Sequence, residues 1–327
     1  MKSFVKILAA GLVAGSALTA AVAVAQDYPT QPVTIVVPFS AGGPTDTVTR
    51  LVAAAMSEDL GQQVVVQNVG GAGGTLGAGQ VAAANADGYT LLLHHIGMST
   101  APALYASLPY DPIADFAPIG LVTEVPMTIV ARKDFEPATL EDLIAYVKEK
   151  GEDITYANAG IGAASQLCGL LFMDALDTKM TEVPYQGTGP AMTDLLGGQI
   201  DMMCDQTTNT TSQILAGEIK AYAVTTPERI AVLPDLPTLD EGGLDNFNLA
   251  IWHGLYAPAG TDQAIIDRLS ASLQKALADE NVGNSFAELG TYPVPADQAT
   301  PAALKQKLEG QIALWGEVIA AAGVAAQ

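Results

Sequence analysis

Basic residues are scarce in this chain of 327 residues, which has 14 Lys and Arg against 35 Asp and Glu and a formal net charge of −21. So acidic a surface repels phosphate backbones and anionic lipid head groups. We therefore expect neither a nucleic-acid partner nor binding to a membrane surface. The same scarcity means that any bound anion must be held mainly by uncharged groups.

Motifs for catalysis and metal binding are missing as well. The chain has neither the G-x-S-x-G of α/β-hydrolases nor the H-E-x-x-H of zinc proteases. His94 and His95 should point to opposite faces of a strand and so not share a metal, and His253 lies far along the chain. Gly77–Ala82 matches the loose pattern G-x-G-x-x-A, but no acid ends a strand about twenty residues later. We expect no metal, no cofactor and no enzymatic activity, and histidines that are buried or line a pocket.

Cysteine is limited to Cys168 and Cys204. Cys168 falls on a predicted helix and Cys204 at the end of a predicted strand. In an oxidising compartment such a pair either forms one disulfide or remains as two buried thiols. Neither residue has neighbours at metal-ligand spacing.

Long apolar runs occur only at the N-terminus. Lys2 and Lys6 precede the apolar run Ile7–Val24, and Ala23-Val-Ala25 fits the small-x-small rule for signal peptidase. A membrane anchor is the alternative, but the run is rich in Ala and Gly, and no Cys near the cut suits a lipoprotein. We expect cleavage near Ala25, export to the periplasm, and a soluble mature chain of 327 − 25 = 302 residues.

Short β-branched runs alternate with glycine-rich turns and helices along the rest of the chain. Val33–Val37 is the first strand, and a helix begins near Thr45 or Asp46. The pattern continues to a largely helical C-terminal region with helices at Thr261–Ala278, around Val282–Leu289, and at Pro301–Ala322. The alternation predicts an α/β fold with parallel sheets covered on both faces. Ligands of such folds bind at the carboxyl ends of the strands.

Glycine-rich loops occupy those strand ends. They are Ser40–Thr45, Gly71–Thr75, Gly160–Ser165 and Gly187–Thr188. Each one alone could simply form a tight turn, but four in the same topological position favour a cradle of backbone N–H groups for an anion. Four to six hydrogen bonds to a charged group, at roughly 1.5–3 kcal/mol each, supply the about 8–11 kcal/mol that a micromolar to tens-of-nanomolar site requires.

Further candidates follow other predicted strands. Ser99 comes after the His94-His95 strand, and Asp205, Gln206 and Thr207 come after Cys204. Asp46 either caps a helix or contacts the ligand, and Arg50, one helical turn later, should pair with it. Tyr185 and Trp252 either form walls of the pocket or belong to the core.

Several segments in order resemble one family, the Bug-type (TctC) extracytoplasmic receptors of tripartite tricarboxylate transporters. They are Val36-Val-Pro-Phe-Ser-Ala-Gly-Gly-Pro-Thr-Asp46 with Arg50, Gly70-Gly-Ala-Gly-Gly-Thr75, Asp87-Gly-Tyr-Thr-Leu-Leu92, Val183-Pro-Tyr-Gln-Gly187, Leu196-Gly-Gly-Gln-Ile-Asp201 and Trp252-His-Gly-Leu-Tyr-Ala-Pro258. The resemblance implies a two-lobed Venus-flytrap fold of mostly parallel sheets flanked by helices. Its first lobe would combine residues 26–124 with 252–327, its second would hold 125–251, and strands near Val125–Val130 and Leu249–Tyr256 would cross between them.

The resemblance also implies a function. Such receptors are monomers that bind a small carboxylate and deliver it to membrane permease subunits. Ligand contacts would come from Phe39–Asp46 and Gly160–Ser165. The chain departs from the family at Cys168, where a His is common, and at Gln186, where a basic residue is common. An exported enzyme acting on carboxylates and a receptor for a sensor kinase are the alternatives.

Taken together, these lines of reasoning predict a set of ligand-binding residues. They are Phe39, Ser40, Ala41, Gly42, Gly43, Thr45, Asp46, Gly74, Thr75, His95, Ser99, Gly160, Gly162, Ala163, Ser165, Tyr185, Gly187, Thr188, Asp205 and Trp252.

Overall fold

The computed structural model describes residues 28–321 and residue 326. The predicted signal peptide and its cleavage site at Ala25 lie outside these residues. The strands are β1 (Val33–Val37), β2 (Val64–Asn68), β3 (Thr90–His95), β4 (Phe116–Arg132), β5 (Thr155–Asn158), β6 (Thr181–Pro184), β7 (Met202–Gln206), β8 (Ile219–Val224) and β9 (Ala250–Pro258). The helices are α1 (Pro44–Leu60), α2 (Thr75–Ala82), α3 (Gly97–Leu104), α4 (Leu140–Lys150), α5 (Ala164–Ala175), α6 (Thr188–Leu196), α7 (Thr207–Leu215), α8 (Gln263–Leu277), α9 (Glu280–Glu288) and α10 (Pro301–Ala321).

Two sheets form the centres of two lobes. The first has the order β2-β1-β3-β9-β4, with β1, β2 and β3 parallel and β9 antiparallel to β3 and β4. In the second, β4 lies between β8 and β7, and β5 and β6 follow, with β5, β6 and β7 parallel. The predicted α/β class and the two-lobed fold are confirmed. We call the elements around these sheets the first and the second lobe.

Strand β4 belongs to both sheets. Its residues up to Pro126 pair with β9, and from Met127 onward it pairs with β7 and β8. The sequence predicts this strand only near Val125–Val130. The strand begins instead at Phe116, because Pro118 sits beside a register irregularity, where the missing N–H of proline is tolerated.

Local sequence explains where the helices begin and end. Helix α1 starts at Pro44, whose fixed φ suits a first helical position, and ends before Gly61, which adopts the left-handed conformation at φ 66°. Val48, Val52 and Met56 recur every four residues and are fully buried. Helix α4 begins with a capping box between Thr139 and Asp142.

The two cysteines are joined in the second lobe. Cys168 on α5 and Cys204 on β7 form a disulfide, with Cα atoms 6.1 Å apart and both side chains buried. Cys204 lies inside β7 rather than at the end of a strand, because β7 runs to Gln206. Among the described residues, no helix combines the length and the apolar character that a membrane span needs.

Candidate functional site

A narrow cavity lies where the two lobes meet. The first lobe contributes Phe39, Pro44, Thr45 and His95, and the second contributes Ala159, Ala164, Ser165, Thr188, Asp205 and Gln206. The cavity offers only about 10 Å³ to the centre of a water molecule, which is about the room that one water needs. In this conformation the cavity therefore has no room for a larger ligand.

Four helices begin at this cavity. The first residues of α1, α5 and α6 line it, and so does Gln206, which immediately precedes α7. The first turn of a helix leaves backbone N–H groups without intrahelical partners and carries partial positive charge. The convergence of these helix ends makes the cavity suitable for an anion without any cationic side chain.

Many amides of the glycine-rich loops already have partners within the protein. Gly42 donates to Asp46 at 2.9 Å, Gly160 donates to the side chain of Asn158 at 2.9 Å, and Gly162 donates to Gln166 at 3.0 Å. The Ala163 amide donates to the Gly160 carbonyl. In this conformation these four amides are not free for a ligand, so the N–H cradle is smaller than the sequence predicts.

The same loops instead bring the two lobes together. The Ser40 amide donates to the Gln186 carbonyl at 3.0 Å. A Cβ atom added to Gly189 would lie 2.7 Å from the carbonyl oxygen of Ala41, and one added to Gly187 would lie 2.7 Å from the Ser40 amide. Ala41, Gly42 and Gly43 thus face glycines of the opposite lobe, and this close approach depends on the absence of side chains.

Asp46 organises the first loop and does not line the cavity. Its carboxylate accepts hydrogen bonds of 2.9 Å from Arg50, from the Gly42 amide and from Asn68. Burial favours the protonated acid, but these hydrogen bonds outweigh it and lower the pKa of Asp46. The predicted pair with Arg50 is present, whereas the contact with a ligand is not supported.

The three histidines lie close together, although the sequence predicts that His94 and His95 point to opposite faces of a strand. The rings of His94 and His95 are 4.9 Å apart, and His253 pairs with His95 across β3 and β9, with ring centroids 5.9 Å apart. Strand alternation does not separate the first two rings because β3 ends at His95 and the chain turns into α3. Within residues 28–321, no group of His, Cys, Asp or Glu is arranged to hold a metal ion.

All three histidines are buried and neutral. Burial, with a smaller effect of His253, lowers the pKa of His94 to about 3, and burial lowers that of His253 to about 3. The pKa of His95 is well below its usual value for the same main reason. His95 Nδ1 accepts a hydrogen bond from the Gly97 amide at 3.0 Å, so the proton of the neutral ring is on Nε2. The ring of Phe39 stacks on His95 at 4.6 Å.

The second lobe supplies most of the polar side chains of the cavity. Ser165 Oγ accepts from the Ala159 amide at 2.9 Å, which leaves its hydroxyl proton free to donate. The hydroxyl of Thr188 and the side-chain oxygen of Gln206 are buried and have no well-formed hydrogen bond among the described residues. Buried polar atoms of this kind are costly unless something pairs with them.

Asp205 places a carboxyl group in the same cavity. It is 1% exposed, and Asn209 donates to its Oδ2 at 2.6 Å. Burial raises the pKa of Asp205 to about 6, although hydrogen bonding from Asn209 and Thr188 partly opposes the rise. Among the described residues, no Lys, Arg or His forms a salt bridge with it.

Several predicted site residues lie elsewhere. Ser99 donates to the Ile96 carbonyl inside its own helix, and Tyr185 donates to Asp194. Trp252 is buried in the core, and Thr75 donates to the Ala72 carbonyl near Gly74, which lies against His94. Pro44, Ala164 and Gln206 line the cavity and were named in the sequence analysis, the first two within predicted loops, but were left out of the final set, and Ala159 was not named at all. Three of these four stand at or directly before a helix start, which is the signal that could have identified them.

Comparison with known proteins identifies a family of receptors that agrees with the two-lobed fold. Residues 48–324 match the model of the tripartite tricarboxylate transporter family receptor, TctC. A protein of Agrobacterium vitis, described as a UPF0065 protein in the TAR-I ttuE-ttuC' intergenic region, is 60% identical over 92% of this chain and 88% of its own length.

Solved structures are similar over nearly the whole described chain. The periplasmic binding protein BugD is 52% identical with a TM-score of 0.90, covering 92% of this chain and 100% of its own. MatC of Rhodopseudomonas palustris with bound malate is 41% identical with a TM-score of 0.86, covering 89% and 100%. Rpa4515 of R. palustris with adipate is 32% identical with a TM-score of 0.86, covering 92% and 100%.

These proteins share with the present chain both the sequence pattern and the arrangement of the two sheets. The chain therefore belongs to the tripartite tricarboxylate transporter receptor family and is a solute-binding protein rather than an enzyme.

Proposed function

We propose that this protein captures a small carboxylate in the periplasm and delivers it to the permease subunits of a tripartite tricarboxylate transporter. The observation that carries the proposal is the convergence of four helix starts from both lobes on one buried cavity. The malate and the adipate in the related structures support the same class of ligand.

The ligand carboxylate is held by uncharged donors. The amides in the first turns of α5 and α6, the hydroxyls of Thr45, Ser165 and Thr188, and the Nε2–H of His95 are the groups proposed to bind it. In a dry cavity such hydrogen bonds are stronger than in water. A carboxylate bound there gives the hydroxyl of Thr188, which makes no well-formed hydrogen bond among the described residues, an acceptor.

Binding is coupled to closure of the lobes. The hydrogen bonds that cross between them in this compact arrangement include Ser40 N–H to the Gln186 carbonyl, Thr100 Oγ1 to the Gly162 carbonyl at 2.8 Å, and Tyr105 Oη to the Ile161 carbonyl at 2.9 Å. We propose that residues 26–124 with 252–327 move against residues 125–251, and that the ligand shifts the population from open to closed.

Export and docking complete the proposal. The N-terminal signal peptide ends near Ala25, as in a protein released into the periplasm, and BugD is itself a periplasmic binding protein. The monomeric closed form then docks on the permease, which recognises the closed conformation rather than the ligand itself.

A glycine at the contact between the lobes allows a direct test. Gly189→Ala places a Cβ 2.7 Å from the Ala41 carbonyl only in the closed form, so the open protein should keep its fold. A clash of about 1–3 kcal/mol weakens apparent affinity by about 5- to 150-fold. The affinity is measured by isothermal titration calorimetry with the tightest acid from a thermal-shift screen of dicarboxylates, tricarboxylates, acidic amino acids and aromatic acids.

Gly310→Ala is the matched control, because a Cβ at Gly310 meets nothing within 4 Å. It should leave affinity unchanged. If no acid in the screen raises the melting temperature of the wild-type protein, the carboxylate-binding function is wrong. If an acid binds and Gly189→Ala has the affinity of Gly310→Ala, closure is not coupled to binding.

A further inference from the structure

The carboxyl group of Asp205 does not fit a cavity that is otherwise suited to an anion. It sits at the carboxyl end of β7, is 1% exposed, and lines the cavity together with Ser165 and Thr188. Its neighbours offer no cation within the described residues, and it is hydrogen-bonded only by uncharged groups, which are Asn209, Thr188 and the Gln206 amide.

A structural role does not account for this group. Burial of a carboxylate without a counter-ion is unfavourable, and an asparagine would occupy nearly the same volume while still bonding to Asn209. The side-chain oxygen of Gln206, the next residue, is also buried without a partner. Asp205 and Gln206 therefore add two hydrogen-bond acceptors to the lining of the cavity, and neither has a positively charged partner among the described residues.

The remaining polar lining has the opposite character. His95 has its proton on Nε2, Ser165 has a free hydroxyl proton, and the first turns of α5 and α6 present amides. Carboxylate groups of a ligand belong beside these donors. A group of the ligand that reaches Asp205 and Gln206 must instead donate a hydrogen bond.

We infer that Asp205 selects carboxylates that carry a hydrogen-bond donor, a hydroxyl or an ammonium group, on the carbon chain between or beside their carboxylates. The inference rests on the proposed function and narrows its substrate class. Plain dicarboxylates such as succinate leave Asp205 without a partner and bring a like charge towards it. A site built around a polar contact rejects an analogue that lacks the matching group far more strongly than an apolar pocket does.

Four acids of similar size test the inference on the wild-type protein by isothermal titration calorimetry. Malate carries a hydroxyl, aspartate an ammonium, methylsuccinate a methyl group in the same position, and succinate only hydrogen. The hydroxyl or the ammonium acid, or both, should bind at least about tenfold more tightly than methylsuccinate and succinate. Whichever binds more tightly identifies the donor.

Asp205→Asn should reduce that preference to less than about threefold, mainly by tightening the binding of succinate, since the like-charge repulsion is gone. Asp174→Asn, which removes one negative charge from an exposed site on α5, should keep the wild-type preference. Circular dichroism checks that both variants fold.

The outcomes separate the two proposals. If wild-type protein binds succinate or methylsuccinate as tightly as malate and aspartate, the inference about Asp205 is overturned while carboxylate binding stands, whether or not the variant folds. If Asp205→Asn folds and keeps the tenfold preference, the inference is likewise overturned. If none of the acids of the earlier screen binds at all, the proposed function itself fails.

Discussion

The two faces of the cavity differ in chemistry although each is built at the carboxyl ends of parallel strands. The first lobe contributes Phe39, Pro44 and His95, with Thr45 as its only hydroxyl. The second lobe contributes Ser165, Thr188, Asp205 and Gln206. We therefore expect the second lobe to supply most of the polar contacts to a ligand, and the first lobe to add those of Thr45 and His95 and to exclude water.

The second lobe is also the one that is covalently reinforced. Cys204 directly precedes Asp205, and Cys168 follows Ser165 by three residues, so the disulfide ties together the two elements that carry these polar groups. The described part of the first lobe contains no cysteine. Buried polar groups without partners lower stability, and a cross-link offsets that loss.

Removal of the disulfide should have the largest effect. The bridge spans 36 residues, and closing a loop of that length stabilises a protein by roughly 3–4 kcal/mol. The double variant Cys168→Ala/Cys204→Ala should lose stability of that order in urea unfolding followed by circular dichroism. Dithiothreitol should destabilise the wild-type protein and leave the variant unchanged. An unaltered urea midpoint would show that the second lobe does not depend on the bridge.

The carboxyl group of Asp205 should make the unliganded protein less stable at neutral pH. Its pKa rises from 3.8 to about 6 on folding, so the folded state favours the protonated acid. The contribution of protonation to stability is fully present below pH 3.8 and is lost as the pH rises through about 6. The free energy of unfolding falls by about 3 kcal/mol over this range.

Asp205→Asn cannot titrate and should therefore unfold at a higher urea concentration than wild type at pH 7.5, with the advantage absent near pH 4. Asp174→Asn serves as the control at both pH values. An advantage that is equal at pH 4 and pH 7.5 would contradict a raised pKa.

Substitution of two serines tests which hydroxyl groups contact the ligand. Ser165→Ala removes a hydroxyl donor from the cavity and leaves the Ala159 amide without its partner, so affinity for the carboxylate should fall by about 1.5–3 kcal/mol, or about 10- to 150-fold. Ser99→Ala removes a hydroxyl that bonds only to the Ile96 carbonyl, so affinity should change less than about twofold. Equal losses in calorimetric titrations would place both hydroxyls, or neither, at the ligand.

Arg50 should matter least. Its side chain is 53% exposed, does not line the cavity, and pairs within one helix with Asp46, which is 4% exposed and keeps its hydrogen bonds from Gly42 and Asn68 without Arg50. Arg50→Gln should therefore change ligand affinity less than about threefold, with slightly larger loss of stability at low salt. A hundredfold loss of affinity would mean that the protein holds its anion with a cation after all.

Much of the fold could be predicted from the sequence because its signals are local. The β-branched run Val33–Val37, the glycine at the end of α1 and the charged face of α4 each identify an element without reference to the rest of the chain. Helices α3 and α7 were missed, since the first contains Pro102 and the second is rich in threonine, both of which are unfavourable in a helix.

The site was harder to predict because it depends on partners distant in sequence or on side-chain direction. The amide of Gly42 looks free in the sequence and is not, because Asp46 turns back towards it. The meeting of His95 with His253 depends on β9 pairing beside β3, which no local pattern indicates. The positions of the helix starts, by contrast, can be predicted from local sequence. Residues at or directly before these starts form most of the lining of the cavity.

Strand β4 is a single polypeptide segment that is part of the sheets of both lobes. It changes its partner strands at Pro126 and Met127 without interruption. A small rotation about those two residues therefore produces a large displacement at the distant loop tips. We expect this segment, together with β9, which pairs with it as far as Pro126, to be the hinge of the proposed closure.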